Sequence, residues 1–179
     1  MKIKIIKDEL IYDGQFIQLI RRHFFDKDGQ TQVWETVRRK TFGRVIGIAA
    51  ITPKKEIILE KIFRVPCNEY VLELPAGLMD KQGEDEETAV RRELLEETGY
   101  AVDEIKPLIN GPINTGLMGD EIAIYLGINA RMIKEPTLES SEDIEVIKMP
   151  IDNLAEYISK NQNSLKIDLK VAAVLPFLQ

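Results

Sequence analysis

Three carboxylates, Glu93, Glu96 and Glu97, fall close together near the end of a predicted helix. Spacings of three and four residues place them within an arc of about 100° on one helical face, where like charges repel. The negative end of the helix macrodipole adds to this cost. A divalent cation would relieve both effects. Because the donors are carboxylates, without histidine or thiol nearby, the pattern indicates Mg²⁺ or Mn²⁺.

A plainer interpretation of the same residues is a solvated acidic face, which is common on helices of ordinary globular proteins. Spacing alone favours that interpretation. The wider sequence around the helix has to decide between the two.

Composition excludes several classes of mechanism. His23 is the only histidine and Cys67 the only cysteine, so a serine-histidine-acid triad and the usual zinc sites lack residues, and no internal disulfide can form. No run approaches the roughly 20 apolar residues that cross a bilayer, and no signal peptide is recognisable, so we expect a cytoplasmic protein without a membrane partner. The net charge of -6 disfavours nucleic-acid binding.

Hydrophobic periodicity indicates a mixed α/β (α+β) chain, since 44% of its 179 residues are hydrophobic, enough for one core. Turn residues separate short alternating stretches that predict antiparallel strands at the N-terminus. The predicted strands are Ile3–Ile6, Leu10–Tyr12, Phe16–Phe25, Thr31–Val37, Val45–Ile51, Glu56–Phe63, Tyr70–Leu74, Ile105–Ile113, Glu121–Ile128 and Ile144–Met149. The predicted helices are Asp85–Glu97, Ile151–Ser159 and a last one from Leu165 to the C-terminus.

The acidic helix belongs to a longer pattern that resembles the signature box of the Nudix hydrolases. It reads Gly77-x6-Glu84-x7-Arg92-Glu93-Leu94-x-Glu96-Glu97-x-Gly99-Tyr100. The family pattern has five residues between the first glycine and the first glutamate, and this chain has six. The extra residue lies in the turn before the helix. Every position from Glu84 onward keeps the family register, so we expect the helix to be intact.

The Nudix resemblance implies roles for individual residues. Glu93 and Glu97 are the implied principal metal ligands, Glu96 an auxiliary ligand and the carbonyl of Ala76 a backbone ligand. Glu84 and Arg92 are implied structural partners. The alternative for that pair is an ordinary surface ion pair of little energetic weight.

Two stretches resemble the ADP-ribose pyrophosphatase branch of the family: Phe63-Arg64-Val65-Pro66 and Leu72-Glu73-Leu74-Pro75-Ala76-Gly77. Arg64 is an implied pyrophosphate contact.

The segment Val33–Arg39 is similar to the strand that stacks a tryptophan on adenine in ADP-sugar pyrophosphatases. Trp34, Glu35 and Arg39 would there offer a stacking plane, an acceptor for an amino group and a phosphate donor. The alternative for Trp34 is a core tryptophan.

The segment Ser140–Val146 resembles the loop and strand from which this branch supplies its catalytic acid. Glu142 fits that position best, as the base or water-positioning group. Since some members carry a second acid two residues earlier, where this chain has Ser140, the neighbouring Glu139 stays an alternative.

The resemblance as a whole implies a Nudix fold, a mixed β-sheet sandwiched between helices. We expect residues 1–42 to form an N-terminal antiparallel strand extension in a homodimer interface, which brings Trp34 to a shared site, and residues 43–179 to form the Nudix domain. The implied reaction is metal-dependent hydrolysis of the pyrophosphate of ADP-ribose to AMP and ribose 5-phosphate. Two alternatives stay open: another nucleoside diphosphate sugar or dinucleotide as substrate, and a non-catalytic ADP-ribose sensor.

Overall fold

The computed structural model of the protein describes residues 2–40 and 43–178. The chain divides into two compact units. The first comprises Met1–Arg44 and Gly111–Ile122, and the second comprises Val45–Asn110 and Ala123–Gln179. The expected boundary between residues 42 and 43 involves residue 42, which lies outside the described residues.

The first unit contains a three-stranded antiparallel sheet in the order β1-β2-β3. These strands are β1 (Lys4–Asp13), β2 (Ile17–Phe25) and β3 (Thr31–Arg39). The prediction of two separate strands before residue 13 was wrong, because β1 is continuous with two register shifts. The middle of β1 is polar, and there Asp8 pairs with Arg22 and Glu9 with His23 on the neighbouring strand. Cross-strand side-chain pairs of this kind support a sheet.

Ten strands follow in residues 43–178, and eight of those belong to one mixed sheet in the order β13-β6-β5-β4-β10-β9, with β12 paired to β5 and β7 to β4. They are β4 (Val45–Ile51), β5 (Glu56–Arg64), β6 (Glu69–Glu73), β7 (Ala76–Leu78), β8 (Tyr100–Ala101), β9 (Glu104–Pro112), β10 (Glu121–Ile128), β11 (Arg131–Met132), β12 (Ile144–Pro150) and β13 (Lys166–Ile167). The β13–β6 pair is parallel, whereas β5 is antiparallel to β4, β6 and β12. Strands β8 and β11 pair separately.

The predicted acidic helix is confirmed as α1 (Glu86–Thr98). It begins where the side chain of Asp85 accepts a 2.8 Å hydrogen bond from the amide of Thr88, an N-cap that satisfies an otherwise unpaired donor. It ends at Gly99, whose φ of 75° is left-handed. A Cβ at Gly99 would lie 2.1 Å from the carbonyl oxygen of Lys134, so only glycine fits this close approach.

Helix α2 (Ile151–Asn161) is confirmed, but the predicted continuous helix from Leu165 onward was wrong. That segment contains β13, then α3 (Leu169–Ala173) and a 3₁₀ turn at Leu175–Phe177. Asp168 starts α3 by capping the amide of Lys170, and Pro176 cannot donate the hydrogen bond that would continue the helix.

The core of the second unit lies between the sheet and its helices. Residues 46–50 of β4 are all buried, and since successive side chains point to opposite faces, both faces of this strand are covered. Ala89, Val90 and Leu94 of α1 pack in the same cluster as Ile46 and Ile48. This arrangement places the acidic end of α1 against the sheet. Among the described residues, no helix is long and apolar enough to cross a membrane.

Candidate active site

A cleft of about 650 Å³ opens in the second unit, where the end of β5, strand β7, helix α1 and the loop before β12 meet. It brings together most of the residues singled out in the sequence. They are Arg64, Ala76, Glu93, Glu96, Glu97, Glu139 and Glu142. Trp34, Glu35 and Arg39 belong to the first unit.

Glu97 is the most buried of the three helix carboxylates, with 5% exposure. Its Oε2 accepts a 3.0 Å hydrogen bond from the amide of Ala76. Burial raises the pKa of Glu97, and the neighbouring carboxylates of Glu60 and Glu93 raise it further. The chain has therefore placed an acidic group where its charge is poorly solvated, which is costly unless a cation or proton compensates.

Glu93 lies directly against the backbone of Gly77. A Cβ at that glycine would lie 2.2 Å from Cδ of Glu93, so the absence of a side chain creates the space that the carboxylate occupies. Burial raises the pKa of Glu93, although its hydrogen bond with Arg92 opposes the shift.

Arg92 organises the acidic residues around it. Its Nε and Nη2 donate to Glu84 at 2.9 and 3.0 Å, a bidentate pair whose side chains are only 16% and 8% exposed. The surface-pair alternative was therefore wrong, and Glu84 is a structural partner of Arg92 despite the extra residue in the turn. Arg92 Nη1 also donates to Glu93 at 2.7 Å and to Glu96 at 3.1 Å. These bonds raise the pKa of Arg92 and lower that of Glu84.

The donor set fits a hard divalent cation, although the carboxylates are not yet arranged around one. In residues 2–40 and 43–178, no group of three acidic, histidine or cysteine side chains is ready to hold a metal ion. The reason is visible in the contacts, because Arg92 engages Glu93 and Glu96 while the Ala76 amide engages Glu97. Side-chain rotation would turn these oxygens to a cation. The glycine at position 77 lets the Glu93 carboxylate lie against the backbone next to the Ala76 carbonyl, and carboxylate and carbonyl oxygens are ligands that a hard cation prefers.

Arg64 is held at the cleft wall by Glu73. The guanidinium donates from Nε at 2.8 Å and from Nη2 at 3.0 Å to the two oxygens of this buried carboxylate. A bidentate contact fixes the plane of the guanidinium. Arginine has five N–H donors, so the two bonds to Glu73 still leave donors for an anion in the cleft.

The loop before β12 forms a tight turn that carries both candidate acids. Oε2 of Glu142 accepts from the Glu139 amide at 2.8 Å, and the Glu142 amide donates to the Glu139 carbonyl at 3.0 Å. The charge of Glu142 contributes to the raised pKa of Glu97 and of Glu60. Glu142 is therefore close enough to the buried carboxylates for its charge to act on them.

The next residue, Asp143, anchors this turn to the sheet. Its carbonyl accepts from the Phe63 amide at 3.1 Å, and its carboxylate accepts from the hydroxyl of Tyr70. The backbone beside Glu142 is thereby fixed from two directions.

In the first unit, Trp34 is 55% exposed, so the core alternative for this residue was wrong. Its Nε1 donates a 3.0 Å hydrogen bond to the carbonyl of Gly116, which holds the indole plane while leaving much of its surface in solvent. Glu35 pairs with Arg21 at 2.9 Å and Arg39 with Asp120 at 2.6 Å. Both residues must exchange or share these partners to contact a ligand.

Two residues near the site were missed in the sequence. Glu60 is buried beside Glu97, and Lys81 lines the cleft with its amine 3.8 Å from Glu96. Glu60 left a weak signal, since it follows the apolar residues Ile57–Leu59, but the next residue, Lys61, is also charged and the pair looks like the polar part of an ordinary strand. Lys81 lies in the turn with the extra residue, where the family pattern offers no guide.

Comparisons with known proteins agree with this geometry. Residues 41–167 match the NUDIX domain, and the chain belongs to that family. An ADP-ribose pyrophosphatase of Saccharomyces cerevisiae is 32% identical over 177 residues, covering 90% of this chain and 76% of the yeast protein. A GDP-mannose pyrophosphatase of Escherichia coli O9:H4 is 30% identical over 193 residues, covering 99% of this chain and 95% of the Escherichia coli protein. A crystal structure of an ADP compounds hydrolase superposes with a TM-score of 0.82 at 18% identity, covering 99% and 92%.

Within the family, the chain belongs to the ADP-ribose pyrophosphatase branch and is a hydrolase of pyrophosphate bonds. The resemblance inferred from the box and the predicted Nudix fold are both confirmed.

Proposed function

We propose that the protein hydrolyses ADP-ribose to AMP and ribose 5-phosphate with the help of Mg²⁺ or Mn²⁺. The observation that carries the proposal is the convergence on one cleft of buried helix carboxylates, a fixed arginine and a separate acid on a loop. Such a cleft can hold a cation and a pyrophosphate side by side. The similarity to the yeast ADP-ribose pyrophosphatase supports the substrate.

Each group has a defined task in this reaction. Glu93 and Glu97 would hold the cation, with Glu96 and the Ala76 carbonyl completing the protein ligands. When bound, the cation neutralises phosphate oxygens and lowers the pKa of attacking water. Arg64, oriented by Glu73, would donate hydrogen bonds to the pyrophosphate.

Glu142 would orient the attacking water and accept its proton. One P–O bond to water oxygen then forms as the bridging P–O bond breaks, and the departing phosphate keeps the bridging oxygen. No protein atom becomes covalently attached to the substrate.

Recognition of the nucleotide is assigned to the first unit. Trp34 would stack on the adenine, Glu35 would accept from its amino group and Arg39 would contact phosphate. The exposed pair of Glu35 with Arg21 contributes little stability, so Glu35 can exchange partners at low cost. The proposal includes the homodimer expected for this branch and a cytoplasmic location.

A second candidate substrate is GDP-mannose, which the similarity to the Escherichia coli enzyme favours. The site chemistry is the same for both substrates, because only the groups flanking the pyrophosphate differ. A non-catalytic sensor is less well supported, since the carboxylates that a sensor has no need to keep are all present in the cleft.

The test is a substrate panel with the purified full chain, comparing ADP-ribose, GDP-mannose and diadenosine polyphosphates with added Mg²⁺ and with a chelator. Products are identified by ³¹P NMR, and the reaction is repeated in ¹⁸O-labelled water. We expect AMP and ribose 5-phosphate, label in one product and loss of turnover with chelator. Faster cleavage of GDP-mannose would replace the proposed substrate, and ADP-ribose binding without turnover would favour the sensor.

A further inference from the structure

Glu60 is a buried carboxyl group that the proposed reaction leaves without a role. It lies in the middle of β5 with 1% exposure, and its Oε1 has no hydrogen-bond partner. Across the part of the chain that the structure describes, it is the one buried side-chain oxygen or nitrogen in this condition. Native proteins rarely leave such a group unpaired, so this atom calls for an explanation.

The neighbours of Glu60 on the sheet do not supply one. Glu73 lies directly opposite on β6, and cross-strand neighbours of this kind share a face. Arg64 lies four residues after Glu60 in β5, on the same face of the sheet. Two of its nitrogens already donate to Glu73. The adjacent strand β12 presents Val146 opposite Glu60. Packing alone would be served better by valine or leucine.

Burial raises the pKa of Glu60, and a side-chain interaction with the Glu97 carboxyl on α1 opposes this rise. Glu93 and Glu142 add further negative charge around Glu97. The charges of Glu60, Glu93, Glu97 and Glu142 thus act on one another. Arg64 is a cation that acts on Glu60, but within the described residues it forms no hydrogen bond with the helix carboxylates. The orphaned oxygen therefore belongs to a group of interacting carboxylates that is short of positive charge.

We propose that Glu60 is an additional ligand of the divalent cation, binding it through Oε1 together with Glu97. The inference rests on the cation of the proposed function and adds a carboxylate that comes from the sheet and not from the signature helix. Hard oxygen donors on two rigid elements suit Mg²⁺ and Mn²⁺, which tolerate little distortion of their geometry. Ligation would satisfy Oε1 of Glu60, which has no hydrogen-bond partner.

Mn²⁺ binding to the full chain, measured by isothermal titration calorimetry without substrate, tests this ligand. Glu60→Gln keeps the size of the side chain and removes its charge. We expect its dissociation constant for Mn²⁺ to rise at least about tenfold, as for loss of a group that supports a metal site. Glu145→Gln is the matched control, because it removes an exposed carboxylate from the adjacent strand. It should bind Mn²⁺ as the parent does.

A crystal structure of the parent protein distinguishes direct binding of Mn²⁺ by Glu60 from an electrostatic effect of its charge at a distance. It does not depend on whether the variant folds. In crystals grown with Mn²⁺, Oε1 of Glu60 should lie about 2.0 to 2.3 Å from the ion. Equal Mn²⁺ affinity in Glu60→Gln and parent, or an ion bound by Glu97 beyond the reach of Glu60, would overturn the inference and leave the proposed function standing. Failure of the parent to bind Mn²⁺ would overturn both.

Discussion

The amide of Ala76 and the carboxylate of Glu97 are joined by a 3.0 Å hydrogen bond that links the Pro-Ala-Gly turn to the end of α1. This bond fixes the side chain of Glu97 at the back of the cleft. The carbonyl of Ala76 is an implied metal ligand. This one residue would therefore bind the cation through its carbonyl and the Glu97 carboxylate through its amide. Glu97 therefore has two separable roles, a hydrogen bond to Ala76 that stabilises the fold and a negative charge that is proposed to bind the cation.

Glu97→Gln tests that separation. The amide oxygen of glutamine can still accept from Ala76, so the fold should survive, but the charge proposed to hold the cation is lost. We expect kcat to fall at least about 100-fold, because the cation stabilises the charge that develops at the pyrophosphate. The measurement is steady-state hydrolysis of ADP-ribose at saturating Mg²⁺.

The control for this substitution is Glu87→Gln on the same helix. Glu87 is 58% exposed and pairs with Arg91 one turn away, a contact of small energetic weight. Its rate should match the parent. Comparable rates for Glu97→Gln and Glu87→Gln would remove the signature helix from the mechanism.

Glu142→Gln should lower kcat far more than it raises KM, because a base or water-positioning group acts mainly in the transition state. Glu139→Gln is the matched variant in the same turn. It keeps the backbone amide that donates to Glu142, so the turn should persist. A larger loss of kcat in Glu139→Gln would mean that the catalytic acid is the other residue.

Gly77→Ala should weaken Mn²⁺ binding, because the new Cβ would lie 2.2 Å from Cδ of Glu93 and force this ligand out of its cradle. Gly111→Ala is the control, since a Cβ there meets nothing within 4 Å. Calorimetric titration of both variants with Mn²⁺ measures the effect. Unchanged affinity in Gly77→Ala would show that Glu93 can bind the cation from another position.

Local signals in the sequence predicted the elements that carry the site. Helix α1 begins at the cap Asp85 and ends at the cap Gly99, and both caps depend on short-range contacts. The spacing within the box predicted that Glu84 contacts Arg92. These features depend on residues close together in the chain. The last segment was predicted wrongly because the pairing of Lys166–Ile167 with β6 depends on residues almost a hundred positions away.

Glu60 shows the corresponding limit for the site. Its spacing in β5 gives no indication of chemistry, because alternation along a strand does not tell which face will meet α1. The contact with Glu97 arises only when the sheet and helix pack together. Partners such as Arg21 for Glu35 and Asp120 for Arg39 were equally invisible, since each depends on the register or packing of another segment.

In the protein without a divalent cation, stability should fall as pH rises above about 4.5. Burial raises the pKa of Glu60 and of Glu97 above the unfolded value of 4.5, so the folded state binds more protons than the unfolded state. The protonated carboxyl groups contribute their full stabilisation below pH 4.5. This contribution is lost as the pH rises towards the pKa values of the two groups in the folded protein. Thermal melts in chelator between pH 5 and pH 8 should show a falling Tm.

Glu60→Gln should flatten this pH dependence, because one of the buried carboxyl groups with a raised pKa is gone. Asp152→Gln, on the exposed first turn of α2, is the control and should leave the slope unchanged. A Tm that rises with pH in the chelated parent would contradict the assigned sign.

Trp34→Ala should weaken binding of ADP-ribose with little effect on the reaction itself. Stacking of a base on an aromatic ring contributes about 1 to 3 kcal/mol, so KM should rise roughly 5- to 150-fold. The indole would contact the base and not the reacting phosphorus, so binding is lost equally from ground and transition states and kcat should change much less. Steady-state kinetics with ADP-ribose and GDP-mannose measure both effects.

The exposure of Trp34 makes the stability of this variant informative. Truncation of a buried tryptophan to alanine typically lowers the free energy of unfolding by about 3 to 5 kcal/mol. Trp34 is 55% exposed, so its truncation should lower the free energy of unfolding much less. Val33→Ala, the neighbouring exposed position on β3, is the matched control for loss of side-chain surface and should leave KM unchanged. A large fall in Tm for Trp34→Ala with unchanged KM would mean that the hydrogen bond to Gly116 holds the first unit together and that the indole does not recognise adenine. Equal increases in KM for ADP-ribose and GDP-mannose would instead assign Trp34 to a stacking site without preference between the two bases.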